Sequence, residues 1–137
     1  MKCLLDSSTC IALLRDSSAR VAKRFEETIA RDGTISISSL VLCELWYGVH
    51  KSSRLQENAG ILSRFLGGPV EVVSFDDEDA QVAAEIRAAL AKTGKTIGSY
   101  DTLIAGQCVS KDLILITSNL SEFRRVKRLY CEDWAAK

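Results

Sequence analysis

The chain has 137 residues, with 18 basic and 18 acidic side chains and a formal net charge of zero. This length fits one domain, and the balanced charge excludes the strong overall basic field of a non-specific nucleic-acid binder. The apolar run that opens the chain stops at Asp6, too early for a signal peptide, and no stretch reaches the ~20 apolar residues that span a bilayer. We therefore expect a single domain over residues 1–137, located in the cytoplasm and without a membrane partner.

Short apolar runs alternate with longer helical patterns along the whole chain. This alternation is typical of strand-helix-strand units built around a mostly parallel sheet. The first half predicts strands at residues 3–5 and 34–37, and helices at 11–14, 18–30, 40–50 and 53–66. The second half predicts strands at 71–73, 113–117 and 129–131, and helices at 76–92 and 100–109. The sequence thus predicts an α/β domain with a central sheet of four or five strands flanked by helices.

The cysteines are five in number and sit mostly inside apolar stretches: Cys3, Cys10, Cys43, Cys108 and Cys131. An odd number without paired spacing indicates reduced thiols, which behave as small buried hydrophobic groups. A zinc site is disfavoured because no Cys-x-x-Cys pair exists and His50 is the single histidine.

Acidic residues lie at the edges of several predicted apolar elements. Asp6 closes the first strand, Glu44 interrupts an apolar helix, and Asp101 opens another helix. A carboxylate against apolar neighbours loses hydration and needs a compensating partner. In parallel sheets, sites form beyond the carboxyl ends of the strands, where Asn119 and Glu122 also fall. The pattern favours one acidic crevice that shares a hard cation, Mg²⁺ or Mn²⁺, and supports metal-assisted chemistry.

Each acid could also have a purely structural role. Asp6 could cap the following helix, Asp101 could complement a helix dipole, and Glu122 could belong to an ordinary loop. Glu44 is harder to explain in this way, because apolar residues on both sides leave little polar face for a solvated side chain.

A basic cluster follows Glu122 and consists of Arg124, Arg125, Lys127 and Arg128. Alone, such a run is more often a solvated surface than a phosphate site. Beside an acidic pocket, the same residues become candidates for a rim that holds an RNA backbone.

The acidic segments, taken in order, resemble the motifs of the PIN-domain nucleases, and more narrowly of the VapC toxins of toxin–antitoxin pairs. The matching segments are residues 4–8, 44–49, 97–105 and 117–123, and residues 125–134 are similar to the closing segment. Three positions depart from the common pattern. Ser8 stands where many relatives have Asn, Asn119 where many have Asp, and Ser99 where a proline is common.

This resemblance implies a three-layer α/β/α PIN domain and a Mg²⁺- or Mn²⁺-dependent endoribonuclease. Its substrate would be RNA, such as transfer RNA or another translation RNA, and cleavage would inhibit translation and growth. The resemblance also implies a homodimer, and a hetero-oligomer with a cognate VapB-like antitoxin. We assign Asp6, Glu44 and Asp101 as catalytic and metal-binding residues and Glu122 as a fourth catalytic acid. Residues expected to orient these acids are Ser7, Thr117 and Asn119.

Two other functions stay open from the residues. One is a catalytically silent domain of the same fold that only binds protein or RNA. The other is a receiver-like signalling domain with an acidic Mg²⁺ pocket, which requires a phosphoacceptor Asp at the end of its central strand. Residues 35–39 and 73–76 offer such an acid only in poor register.

Overall fold

Five strands form one parallel sheet in the computed structural model, which describes residues 1–136 of the chain. The strands are β1 (Lys2–Leu5), β2 (Thr34–Ser38), β3 (Glu71–Val73), β4 (Ile114–Ile116) and β5 (Cys131–Glu132). Their order across the sheet is β3-β2-β1-β4-β5, and every neighbouring pair is parallel. The predicted α/β architecture with a mostly parallel sheet is confirmed, although β5 lies two residues later than expected.

Seven helices accompany the sheet within the described residues. They are α1 (Ser7–Leu14), α2 (Ala19–Ala30), α3 (Ser39–His50), α4 (Leu55–Leu66), α5 (Asp77–Thr93), α6 (Ser99–Lys111) and α7 (Leu120–Phe123). Helix α1 begins four residues earlier than predicted because Asp6 caps it. Helix α7 was not predicted, since four residues are too few to show a helical period. No helix in residues 1–136 is both long and apolar enough to cross a membrane.

Strand order places a topological switch at the centre of the sheet. From β1 the chain adds β2 and β3 on one side, and later adds β4 and β5 on the other. Crevices for ligands form at such switch points, beyond the carboxyl ends of the strands. Asp6 directly follows β1, and Thr117 directly follows β4. The fold therefore brings two distant polar segments to the same edge.

The core is densest around β1 and β4. Leu4, Leu5, Leu115 and Ile116 are fully buried, which confirms that the predicted strand after residue 113 lies inside the sheet. Burying a side chain of this kind contributes about 1.5–3 kcal/mol. The site at the ends of these strands therefore rests on fully buried core residues.

Helices α5 and α6 pack closely against each other. A methyl group added at Gly106 would lie 2.5 Å from the Cβ atom of Ala83, so only glycine permits this approach. At one end of the pair, Lys111 Nζ lies 2.7 Å from Asp76 Oδ2 and 3.1 Å from the carboxylate of buried Asp79. These contacts hold α6, and with it Asp101 in its first turn, at a fixed position.

The cysteines are all free, as predicted. Cys3, Cys10 and Cys108 are buried, and burial raises the pKa of the Cys3 thiol to about 12, so it stays protonated. The expectation of burial is wrong for Cys43, which is exposed, and Cys131 is only partly buried. Helix α3 turns Val41, Leu45 and Val49 toward the core and leaves Cys43 on its outer face.

Candidate active site

Asp6 is held by two adjacent strands of the sheet. Its backbone N–H donates to the carbonyl oxygen of Ile116 at 2.9 Å, at the end of β4. Its carboxylate accepts hydrogen bonds from Ser7 N–H at 2.7 Å and from the hydroxyl of Thr117 at 2.8 Å. The side chain is 8% exposed. Asp6 therefore caps α1, as its structural explanation from the sequence predicts. The capping hydrogen bond fixes the carboxylate at the edge of the crevice.

Thr117 organises the segment that follows β4. Its side chain is fully buried, and its hydroxyl donates to Asp6 while accepting the backbone N–H of Asn119 at 3.0 Å. Ser118 N–H donates to the Ser8 hydroxyl at 3.3 Å. Ser7 acts on Asp6 through its backbone N–H. The structure thus brings Ser7 and Thr117 into direct contact with Asp6.

Glu122 lies on α7 and connects that short helix to the start of α6. One carboxylate oxygen accepts the N–H of Gly98 at 2.8 Å, and the other accepts the amide N–H of Asn119 at 2.6 Å. These hydrogen bonds, with the Gly98 N–H as the largest cause, hold the pKa of Glu122 below its ordinary value. Asn119 is therefore in contact with Glu122, whereas Thr117 and Ser7 contact Asp6.

Asp101 lies in the first turn of α6, beside Glu122. A Cβ atom placed on Gly98 would lie 3.5 Å from Asp101 Oδ2 and 3.7 Å from Glu122 Oε1, so both carboxylates border the same glycine. Burial raises the pKa of Asp101 to about 6, and the carboxylates of Glu122, Asp6 and Glu44 add to this effect. The proximity of the two carboxyl groups raises the pKa of Asp101, and hydrogen bonding to Glu122 keeps the pKa of Glu122 low.

Glu44 stands at the outer edge of this group. It is exposed on α3, which corrects the expectation that apolar neighbours leave it no polar face. Val41, Leu45 and Val49 of α3 turn toward the core, whereas Glu44 does not. Its negative charge nevertheless reaches the site, because it contributes to the raised pKa of both Asp101 and Tyr100.

Tyr100 was not identified from the sequence. Its hydroxyl donates a hydrogen bond to the carbonyl oxygen of Leu40, in the first turn of α3. Burial, followed by the charge of Glu44, raises the pKa of Tyr100 to about 12. Tyr100 thus connects the helix of Asp101 to the helix of Glu44. In the sequence, only its position next to Asp101 indicated that it could belong to the site.

The carboxylate oxygens of the acidic site suit a hard divalent cation, although they do not converge on one point. In the part of the chain that the structure describes, no three His, Cys, Asp or Glu side chains converge closely enough to hold a metal ion. Like charges repel, and here Asp6 and Glu122 turn their oxygens toward N–H and O–H donors. Mg²⁺ commonly uses one or two protein carboxylates and keeps several waters. Asp6 and Asp101 fit that requirement without a third direct ligand.

The basic cluster lies beside the acids and is fully accessible. All four residues, Arg124, Arg125, Lys127 and Arg128, are exposed. Arg125 donates to the carbonyl oxygen of Thr96 at 3.0 Å, and Arg128 pairs with Glu85 at 3.0 Å. The four residues border a groove of about 860 Å³ between α5 and residues 121–128.

Comparison with known sequences identifies a family and several relatives of the chain. The PIN domain family matches residues 3–129 of the chain. The chain is 36% identical over 134 residues to the tRNA(fMet)-specific endonuclease VapC of Salmonella typhimurium, covering 98% of each. It is 34% identical over 131 residues to ribonuclease VapC2 of Rickettsia felis, covering 96% of each.

Chains in solved VapBC structures are also similar to this chain, both in fold and in sequence. The crystal structure of VapBC2 from Rickettsia felis, bound to a promoter DNA fragment, contains a chain similar to this one with a TM-score of 0.91 and 33% identity. The alignment covers 98% of this chain and 99% of the other. DNA-bound VapBC from Salmonella typhimurium contains a similar chain with a TM-score of 0.89 and 36% identity, covering 98% of each.

Proposed function

The chain belongs to the PIN-domain family, within the group of VapC ribonucleases, and from this membership we propose that it is the toxin of a toxin–antitoxin pair. In this proposal, residues 1–137 form one PIN domain that hydrolyses phosphodiester bonds of RNA internally. A relative is named for cleavage of tRNA(fMet), so the proposed substrate class is transfer RNA or another RNA of translation. Cleavage of such RNA inhibits translation and growth. The cytoplasm, where these RNAs lie, is the expected location.

One observation carries the proposal of catalysis. Asp6, Asp101 and Glu122 come from three distant segments and lie on the side of the sheet where β1 and β4 end, and burial with neighbouring carboxylates raises the pKa of Asp101 to about 6. Carboxylates gathered in this way oppose one another and oppose an anionic RNA. Such an arrangement is typical of sites that work with a cation, and perturbed acids of this kind cluster at functional sites.

Asp6 and Asp101 would hold Mg²⁺ or Mn²⁺, with Glu44 completing the site directly or through water. The cation would supply charge neutralisation at the phosphate and lower the pKa of a bound water. The residues of the chain provide the positioning. Thr117 and the Ser7 N–H fix the orientation of Asp6, and Asn119 and the Gly98 N–H fix Glu122.

Glu44 and Glu122 differ in the freedom of their side chains. Glu122 is held by two hydrogen bonds, whereas Glu44 is exposed on the outer face of α3 and free to turn. We assign Glu122 to the fixed wall of the site and Glu44 to accepting a proton from the attacking water. This assignment places general-base chemistry on the less constrained carboxylate.

The proposed partners follow from the relatives and from the surface charge. The solved relatives are VapBC assemblies bound to DNA. We therefore include a cognate VapB-like antitoxin in the proposal, together with a homodimer of the chain. Arg124, Arg125, Lys127 and Arg128 are proposed to contact the RNA backbone, because they are exposed and adjoin Glu122.

The test is cleavage of purified transfer RNA by the full chain. We expect cleavage with Mn²⁺, no cleavage after EDTA treatment, and recovery when Mn²⁺ is returned. Asp101→Asn should abolish cleavage while its circular dichroism spectrum matches that of the wild type. A protein that binds RNA but leaves it intact under all these conditions would instead be the catalytically silent module.

A further inference from the structure

A groove lies next to the acidic site, between α5 and the segment after α7. Its volume is about 860 Å³. Apolar side chains form its floor: Ile86, Ala89, Leu90 and Val126. Cationic side chains form its rim: Lys95, Arg124, Arg125, Lys127 and Arg128. An apolar floor with a cationic rim suits a ligand that has both a flat apolar part and a negative charge.

The charge of the groove is strongly one-sided. Glu85 is the single acid among the residues that line it, and this acid pairs with Arg128. In residues 1–136, the ion pairs involve none of Lys95, Arg124 and Lys127. Three cations are therefore available to an anionic ligand, so charge complementarity favours a polyanion over a neutral or basic one.

The groove adjoins the acidic site through residues next to Glu122. Ser121 lines the groove, and the next residue, Glu122, accepts the N–H of Gly98. Arg125 also lines the groove, and its charge contributes to the lowered pKa of Glu122. Arg125 additionally donates to the carbonyl oxygen of Thr96, in the loop that leads to Gly98 and Asp101. A strand cut at the acids would thus have its neighbouring nucleotides at the mouth of the groove.

We propose that this groove binds an unpaired nucleotide of the RNA next to the scissile phosphate. The inference rests on the proposed function and adds a binding subsite for the nucleotide beside the cut. The base lies against the apolar floor formed by Leu90 and Val126, while Lys95, Arg124 and Lys127 contact the flanking phosphates. A base within a duplex has no free face to offer, so a fully paired stem does not fit this groove.

The first test fills the groove while preserving its charge. Ala89 and Ala91 are both exposed alanines of α5, but only Ala89 lines the groove. Ala89→Trp and its matched control Ala91→Trp are made in an Asp101→Asn background, so that bound RNA is not cut. The probe is a fluorescent RNA hairpin with an unpaired loop. We expect about tenfold weaker binding for Ala89→Trp, because the larger side chain fills the space of the base, and no change for Ala91→Trp.

The second test addresses the rim. Arg124→Gln should weaken hairpin binding and reduce the slope of log K against log salt by about one, as for the loss of one phosphate contact. The matched control is Arg31→Gln, because Arg31 is an exposed arginine at the end of α2, outside the groove. A blunt RNA duplex of the same length should bind to the Asp101→Asn protein more weakly than the hairpin does. Adding Ala89→Trp should not change the affinity for this duplex.

The outcomes separate this inference from the proposed function. Equal hairpin binding by Ala89→Trp and Ala91→Trp overturns the groove assignment, even if the wild type cleaves RNA. Failure of the wild type to cleave RNA with Mn²⁺ refutes the proposed activity, whereas a binding loss specific to Ala89→Trp still supports the groove. If sedimentation shows that only Ala89→Trp changes the oligomeric state, the groove is a protein interface and the inference is wrong. Circular dichroism melting verifies that each variant is folded.

Discussion

The hydroxyl of Tyr100 donates a hydrogen bond to the carbonyl oxygen of Leu40, and this bond joins the two helices that carry Asp101 and Glu44. Glu44 is exposed, and no hydrogen bond among the described residues holds its carboxylate, so the position of its helix decides where the acid stands. The separation of the two acids across the crevice therefore depends on a residue that carries no charge at neutral pH.

Tyr100→Phe removes this bond and keeps the ring. We expect the free energy of unfolding to fall by about 1 kcal/mol, as for one hydrogen bond, and kcat for RNA cleavage to fall while KM changes little. Tyr130→Phe is the matched control, because Tyr130 is 75% exposed and distant from the acids. An unchanged kcat in Tyr100→Phe would show that the two helices keep their spacing without this bond.

Thr117→Val replaces the buried hydroxyl that contacts Asp6 with a methyl group of similar size. We expect Mn²⁺ affinity, measured by calorimetric titration, to fall about tenfold, because the orientation of the carboxylate is lost. Thr28→Val serves as the control, since buried Thr28 donates to the carbonyl oxygen of Arg24 in α2. This control should lose stability and keep its Mn²⁺ affinity, and a similar affinity loss in both variants would contradict a local role for Thr117.

The raised pKa of Asp101 predicts a pH dependence of stability. Its pKa rises from an ordinary 3.8 to about 6 on folding, so between these values the folded chain binds a proton that the unfolded chain releases. The contribution of Asp101 to stability therefore falls as pH rises from about 4 to about 6, and stays low above that range. Asp101→Asn should stabilise EDTA-treated protein at pH ~7.5 by about 1 kcal/mol, since solvent screens this partly exposed group.

Thermal melting of the wild type and Asp101→Asn at pH ~5 and ~7.5 measures this effect. The stability difference between the two proteins should be smaller at the lower pH, because Asp101 is then largely protonated in the wild type. Mn²⁺ should reverse the ranking at the higher pH by stabilising only the wild type. A stability difference that is independent of pH would show that Asp101 is not the group that titrates.

Two glycine substitutions should change stability in opposite directions. Gly106→Ala places a methyl group 2.5 Å from the Cβ atom of Ala83, and separating α5 from α6 should cost about 1–3 kcal/mol. Gly48→Ala adds a methyl group in the last turn of α3 with no atom within 4 Å, and should stabilise the protein by about 0.5–1 kcal/mol. Urea unfolding of both variants tests the pair, and a tolerated Gly106→Ala would indicate looser helix packing.

The sequence predicted most of the fold because the relevant signals are local. Apolar alternation located β2, a continuous run of Ile and Leu located β4, and serine caps located α3. Gly94 ended α5 in the left-handed conformation that favours glycine. Helix α7 and strand β5 are too short to carry a period of their own. Strand β5 is positioned by pairing with β4 and α7 by contact with β5, and a linear pattern contains neither contact.

The site was predicted in part for similar reasons. Asp6, Thr117, Asn119 and Glu122 follow strands that meet at the switch point, so a topological rule suffices to gather them. The exposure of Glu44 was missed because the apolar residues flanking it along the chain suggested burial, whereas the helix leaves both Cys43 and Glu44 on its outer face. The role of Tyr100 depends on the distance between α3 and α6, which is a property of tertiary packing.

The strand order also sets when the candidate site can form during folding. Asp6 and Thr117, whose hydroxyl fixes the Asp6 carboxylate, lie 111 residues apart in the sequence. The central strand β1 gains one of its two neighbours only when β4 pairs with it. The Asp6 carboxylate therefore reaches its final orientation only after the two halves of the domain have come together.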